Sequence, residues 1–188
     1  MIRSVFWRPL DEIGLEHLLF ERMSDAIRAD GLILQTRRGT AFRARYRIEA
    51  APDWTMRSCD IAVEGSGLRL ALRVDEAGRW RDEASGASLP QIEGCREVDI
   101  QISPFTNTLP IGRLSLKPGA SGEILAAYIA VPELTVAPAR QRYTRLAEAL
   151  YRYEGLGTGF KADLPIDADG LVRDYPGVFA RVDLPTAT

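Results

Sequence analysis

The chain has 188 residues, 46% hydrophobic and 27% charged, with a formal net charge of -2. That is enough chain to bury one sizeable core, and too balanced a charge to pull the whole molecule towards nucleic acid or an anionic membrane. No run approaches the ~18 apolar residues of a spanning helix, and two cysteines, Cys59 and Cys95, are too few for a disulfide scaffold or a cysteine zinc site.

The N-terminal stretch carries Asp11, Glu12 and Glu16 and lacks a continuous apolar segment with a small-residue cleavage site, so the expected location is cytoplasmic. Leu15 to Phe20 alternates around His17, the only histidine. Turn signals then recur at short spacing: Asp30-Gly31, Arg38-Gly39, Gly65-Ser-Gly67, Ala77-Gly78, Ser85-Gly86, Pro118-Gly119, Asp169-Gly170 and Pro176-Gly177. Short period-two segments lie between them, the pattern of an antiparallel meander. Ala41 to Ala50 is the clearest, with Phe42, Ala44, Tyr46 and Ile48 on one face and Arg43, Arg45, Arg47 and Glu49 on the other. Ile61–Glu64 and Leu68–Asp75 follow, and Gly78 turns the chain so that Arg79-Trp80 pairs back.

Cys95 to Leu116 stands apart. Val98, Ile100 and Ile102 predict one dry strand face, and Glu97, Asp99 and Gln101 one wet face. Ser103-Pro104 ends the ladder, Thr106-Asn107-Thr108 offers helix N-caps, and Leu109-Pro110 fits the first helical positions. Ile111, Leu114 and Leu116 make the apolar side of a short helix that the sheet is expected to wrap. Ile124–Val131 reads as a strand buried on both faces. Ala139–Tyr153 fits either a helix or a hairpin folded over Ala147-Glu148-Ala149. Ala162–Ile166, Leu171–Asp174 and Val178–Val182 are closing strands, with a hairpin turn at Asp167–Gly170. No linker or repeat divides the chain, so one domain over residues 1–188 is expected.

Little of this looks catalytic. Any histidine-based triad must pass through His17, which sits in an alternating strand without a nucleophile elbow elsewhere. Asp167-Ala-Asp169-Gly170 lacks the further ligands of a calcium loop, and Gly155-Leu-Gly157-Thr-Gly159 lacks the strand-to-helix context of a phosphate loop. No metal or cofactor is expected. Glu97 and Asp99 are the one candidate acid/base pair, although paired carboxylates on a strand more simply answer solvent or an arginine. The Arg43, Arg45 and Arg47 stripe offers guanidiniums to phosphate, or is balanced by neighbouring carboxylates.

Trp7-Arg8, Gly78-Arg79-Trp80, Glu97-Val-Asp99-Ile, Pro104-Phe-Thr-Asn-Thr-Leu-Pro110-Ile, Gln141-Arg-Tyr143 and Asp169-Gly-Leu-Val-Arg-Asp-Tyr-Pro-Gly177 occur in this order across nearly the whole chain. In these blocks it resembles a bacterial family described as glycolipid-binding, formerly a domain of unknown function. One departure is Gly112, which stands where the family pattern leads to an arginine before Arg113. The resemblance implies a mainly β fold, a spiral β-roll whose long antiparallel meander curls around one short helix, similar to half-barrel lipoprotein carriers. It also implies a homodimer, and a glycolipid or other lipid-like ligand held between sheet and helix.

On that reading the protein is a non-enzymatic binder. Val98, Ile100, Ile102, Phe105, Leu109 and Ile129 are expected to hold an acyl chain. Arg79, Trp80, Tyr143 and Tyr175, with Glu97, Asp99 and Asn107, are the candidate headgroup contacts. The alternatives are a hydrolase of sugar or lipid conjugates using Glu97 and Asp99, and a structural protein acting through its dimer surface.

Overall fold

The computed structural model describes residues 2–183. Eight strands follow one another as a meander: β1 (Ile2–Pro9), β2 (Gly14–Arg22), β3 (Ile27–Arg37), β4 (Thr40–Ala50), β5 (Met56–Val63), β6 (Arg69–Val74), β7 (Trp80–Asp82) and β8 (Ala87–Ser88). A second sheet then forms from β9 (Glu97–Ile100), β10 (Ser121–Ile129), β11 (Val136–Ala147), β12 (Leu150–Gly155) and β13 (Lys161–Pro165), in the order β13-β12-β11-β10-β9. Between β9 and β10 lies the helical segment, a 3-10 turn over Pro104–Asn107 running into α1 (Thr108–Leu114). The chain finally returns to the first sheet, where β14 (Asp174–Tyr175) and β15 (Phe179–Val182) extend the edge of β1 and make it ten-stranded. The result is a mainly β protein, a large antiparallel sheet and a curled half-barrel sheet around one short helix.

The period-two reading holds in detail. Ala44, Tyr46, Ile48 and Ala50 of β4 are buried, while Arg43, Arg45 and Arg47 face out. Each of these arginines has a carboxylate: Glu64 at 3.5 Å for Arg43, and Asp30 at 2.8 and 2.9 Å for Arg45 and Arg47. The stripe is a balanced outer surface. Asp30-Gly31, read as a turn, lies instead in the middle of β3. A Cβ on Gly31 would come within 2.1 Å of the Tyr46 ring, so the glycine makes room for a large side chain on the neighbouring strand.

Two departures matter for the interior. β9 and β10 run parallel, the single such pair among the described strands, and a parallel pair needs a crossover connection. The helical segment is that crossover. The supposed wet face of β9 is also not wet. Glu97 is fully buried, Asp99 half-buried, and Val98 and Ile100 are buried on the opposite face. The dry side joins a core shared by both sheets (Trp7, Leu18, Tyr46, Trp80, Phe105, Leu109, Ile129), the other a smaller cluster of Ile111, Ile124, Tyr143 and Leu164. Ala126 packs in one cluster and Ala127 in the other, so β10 is buried on both faces as expected.

Ala139–Tyr153 is a hairpin, β11 and β12, with a register shift between Arg145 and Ala147. Helix propensity lost to the sheet: Gln141 and Tyr143 alternate inward and are buried, a period that no helix face would satisfy.

Candidate functional site

The helical segment is enclosed from its first residue. Pro104 through Ile111 are all buried. Its cap is Ser103, whose hydroxyl accepts from the Phe105 amide at 3.3 Å, and not one of the three polar residues Thr106 to Thr108. Buried polar groups need partners, and here the second sheet supplies them. Tyr143 donates its hydroxyl to Asn107 Oδ1 at 2.8 Å, and Asn107 Nδ2 donates to the Pro104 carbonyl at 3.2 Å. Asp99 accepts from Gln141 Nε2 at 2.6 Å and from the Thr106 hydroxyl at 3.3 Å. Burial pushes the Asp99 carboxyl above its ordinary value, and those two hydrogen bonds oppose the shift.

Beside this network opens a cleft of about 550 Å³. Asp99, Gln101 and Asn107 stand in one wall, Glu12, Gln35, Arg37 and Arg38 in another, and Tyr128, Tyr153, Phe160 and Tyr175 in the rest. The aromatic rings form a continuous run. Tyr143 meets Tyr153 edge-on at 5.5 Å between centroids, Tyr153 meets Tyr175 at 6.0 Å and Phe160 at 6.1 Å, and Tyr175 meets Phe179 at 6.5 Å. The run leads from the interior to Phe160, which is 41% exposed. Burial, with the nearby Asp99 charge, raises the phenol pKa values of Tyr153 and Tyr175, so both remain neutral donors. Glu12 is oriented by the Thr36 hydroxyl at 2.6 Å and the Arg38 amide at 3.0 Å, which lower its pKa.

Of the residues singled out from the sequence, Asp99, Asn107 and Tyr175 line this cleft, and Tyr143 stands directly behind it. Phe105 is fully buried in the shared core, as are Val98, Leu109 and Ile129; only Ile100 and Ile102 of the expected acyl lining reach the cleft wall. Trp80 is buried and donates its indole N–H to the Cys95 carbonyl at 3.0 Å. Arg79 pairs with Asp75 at 2.8 Å, and both residues lie at the distant β6–β7 turn. Glu97 is bonded to Arg113 of α1 and lines no part of the cleft, so Glu97 and Asp99 are not presented together to a substrate. Burial raises the Glu97 pKa against the opposing effect of Arg113. His17 stacks on Phe6 at 4.3 Å on the outer face and meets Ser4 Oγ at 2.8 Å. Both cysteines are free and buried.

Tyr128, Tyr153, Phe160 and the β3–β4 arginines were missed. Tyr153 was within reach: once Ala139–Tyr153 folds as a hairpin, it sits opposite Tyr143. Arg37 and Arg38 carry no sequence signal, because they arrive at the cleft only through the fold.

Residues 4–181 match the model of the family described as "Putative glycolipid-binding". The chain belongs to this family. A crystal structure of a DUF1089 family protein from Pseudomonas aeruginosa is similar to it with a TM-score of 0.79 and 40% identity, covering 90% of this chain and 92% of that one. Comparison with curated proteins found no match. The blocks that carry the family resemblance are largely the groups that secure the helical segment and close the sheet. Gln141 and Tyr143 hold Asp99 and Asn107, and the Trp7 indole donates to the Val172 carbonyl at 2.8 Å. Gly112, the departure from the family pattern, is explained by Trp54. A Cβ there would lie 2.3 Å from the indole, so the tryptophan occupies the space above the helix.

Proposed function

We propose that the protein binds the carbohydrate end of a glycolipid in the cleft beside the helical segment. The observation that carries this reading is the convergence of Tyr128, Tyr153 and Tyr175 on Asp99, Asn107 and the Arg37-Arg38 pair. Sugars present apolar C–H faces that stack on aromatic rings, and hydroxyls that suit planar carboxylate, amide and guanidinium groups. Phe160, with Val178 in the same lining, gives the mouth an apolar rim for the lipid part. The acyl chain then lies along the surface, because Val98, Phe105, Leu109 and Ile129, expected to hold it between sheet and helix, pack into the shared core.

Native mass spectrometry of protein purified from its source cells, followed by lipid extraction, tests this directly. A bound glycolipid, lost in Tyr153→Ala and in Asp99→Asn with the fold intact, is the expected result. Absence of any adduct, together with no response to glycolipid micelles in titration, overturns it.

A second copy of the chain is the proposed occupant of the outer face of β2 and β3. Leu15, Leu19, Leu32 and Leu34 are each 38–48% exposed there, with Leu15 opposite Leu34 in the register. The surrounding charges are already paired, Arg45 and Arg47 with Asp30 and Arg28 with Glu49, so two such faces can meet without uncompensated like charges.

A further inference from the structure

A second cleft, of about 590 Å³, lies along the other end of the helical segment and shares no lining residue with the first. Its walls bring Arg22, Arg145 and Arg173 together with Trp54, Thr108 and Tyr151. Most arginines of this protein answer a carboxylate. Among the described residues these three have none within ion-pair distance.

Two of the three are nonetheless held in place, by neutral partners. Arg145 donates to the carbonyls of Leu116 at 2.8 Å, Ala147 at 3.3 Å and Glu148 at 2.7 Å, with its guanidinium 5.7 Å from the Tyr151 ring. Arg22 donates to the Asp169 carbonyl at 2.9 Å and sits 4.8 Å over Trp54. No side-chain hydrogen bond engages Arg173 among the described residues. A carbonyl or an aromatic face orients a guanidinium without cancelling its charge, and each terminal nitrogen keeps an N–H to give.

The acidic groups of the cleft do not discharge it. Asp167 is taken by Arg3 at 2.7 Å and Arg181 at 2.6 Å, and accepts from the amides of Asp169 and Leu171; Asp169 is bonded to Arg3. Glu148 lies on the exposed β11–β12 turn. Thr108, in the cleft wall, has a buried hydroxyl without a partner among the described residues.

We infer that this cleft binds a phosphate- or sulfate-type oxyanion carried on a larger organic group. Three guanidiniums without a carboxylate partner among the described residues, Arg145 and Arg22 oriented by neutral groups and Arg173 beside them, match a tetrahedral oxyanion, whose several oxygens accept forked donors. The volume exceeds what a bare anion fills, and Ile111, Tyr151 and Ile166 offer an apolar wall for what the anion is attached to. The site stands independently of the aromatic cleft, since neither its residues nor its charge depend on sugar binding there.

The test is titration of the full chain, followed by amide NMR shifts, with inorganic phosphate and with glycerol 3-phosphate against chloride at matched ionic strength. Flotation with phosphatidic acid vesicles, against phosphatidylcholine vesicles, separates a lipid source from a soluble one. Saturable shifts at Arg145, Arg173 and Thr108, weakened about tenfold or more in Arg145→Gln and in Arg173→Gln but unchanged in Arg69→Gln, are expected. Selective flotation that fails in the same two variants also supports the site, and assigns its anion to a lipid headgroup. Arg173 is exposed and its side chain makes no hydrogen bond or ion pair among the described residues, so its replacement leaves the fold intact and serves as the deciding variant. If neither soluble phosphate nor vesicles are bound beyond the chloride control, or if Arg173→Gln binds as tightly as the parent, the inference is overturned.

Discussion

Glu16 is the residue whose surroundings say most about the interior. It is buried in β2, and its Oε1 accepts from Tyr46 at 2.5 Å and Ser103 at 2.7 Å, while Oε2 has no partner among the described residues. No cation pairs with it among the described residues, and burial pushes its pKa up to about 7. Between the ordinary 4.5 and about 7 the folded protein keeps a proton that the unfolded chain releases. Stability therefore falls as pH rises through that window and levels off above it, by roughly 3 kcal/mol in total. Glu16→Gln is expected to flatten this slope and to be the more stable form at about pH 8, in urea midpoints measured across pH. Gly112→Ala pits two effects against each other, because helix propensity favours alanine by ~1 kcal/mol whereas overpacking costs ~1–3 kcal/mol. With the new Cβ at 2.3 Å from Trp54, overpacking wins, and a lowered urea midpoint checks it. Glycine also shows where sequence reading stops. Gly31 beside Asp30 resembles a turn in one dimension, and only the Tyr46 ring across the strand pair reveals its purpose.

At the scale of elements, β9 and α1 are joined by an ion pair between a buried Glu97 and a half-buried Arg113. Glu97 is fully buried, one of its oxygens accepts from Arg113, and the other has no partner among the described residues. Removing the cation strands a buried carboxylate, so Arg113→Met is expected to cost about 3–5 kcal/mol, while Glu97→Gln with Arg113→Met recovers most of that loss. Chemical denaturation of the two variants decides it. The strand-then-helix order was legible because Pro104 interrupts an alternating run, and the helix's burial was legible from its apolar residues. The wetness of Glu97 and Asp99 was misread, since alternation marks which residues share a face and does not say whether water or a helix covers it. Ala139–Tyr153 stayed open between helix and hairpin for a related reason. Its residues favour a helix locally, and the pairing of Tyr143 with Tyr153 and of Gln141 with Gly155 exists only once the neighbouring strands are present.

The whole molecule presents a broad outer face on β1–β4 that is apolar at its centre and charge-balanced around it. If that face joins two copies, Leu32→Glu with Leu34→Glu shifts the protein to monomer in analytical ultracentrifugation and leaves glycolipid capture intact; a parent that sediments as a monomer at all concentrations rules the contact out. The meander was legible throughout from its turn residues, and the aromatic cleft only in part. Asp99, Asn107 and Tyr175 could be named in advance. Arg37, Arg38 and Phe160 could not, because they reach the same space from segments far apart in the chain.

The pairing of β1 with β15 sets an order of events during synthesis. Phe6 to Pro9 lie opposite Phe179 to Val182, and the Trp7 indole waits for the Val172 carbonyl. Until β15 has left the ribosome, one edge of the large sheet stays open and the helical segment lacks its final cover. Nascent chains stalled before residue 170 should remain sensitive to protease within β1, and should acquire resistance abruptly once β15 emerges. A cell making this protein carries that exposed edge from the synthesis of β1 to that of β15, which makes β14 and β15 the strands on which escape from aggregation depends.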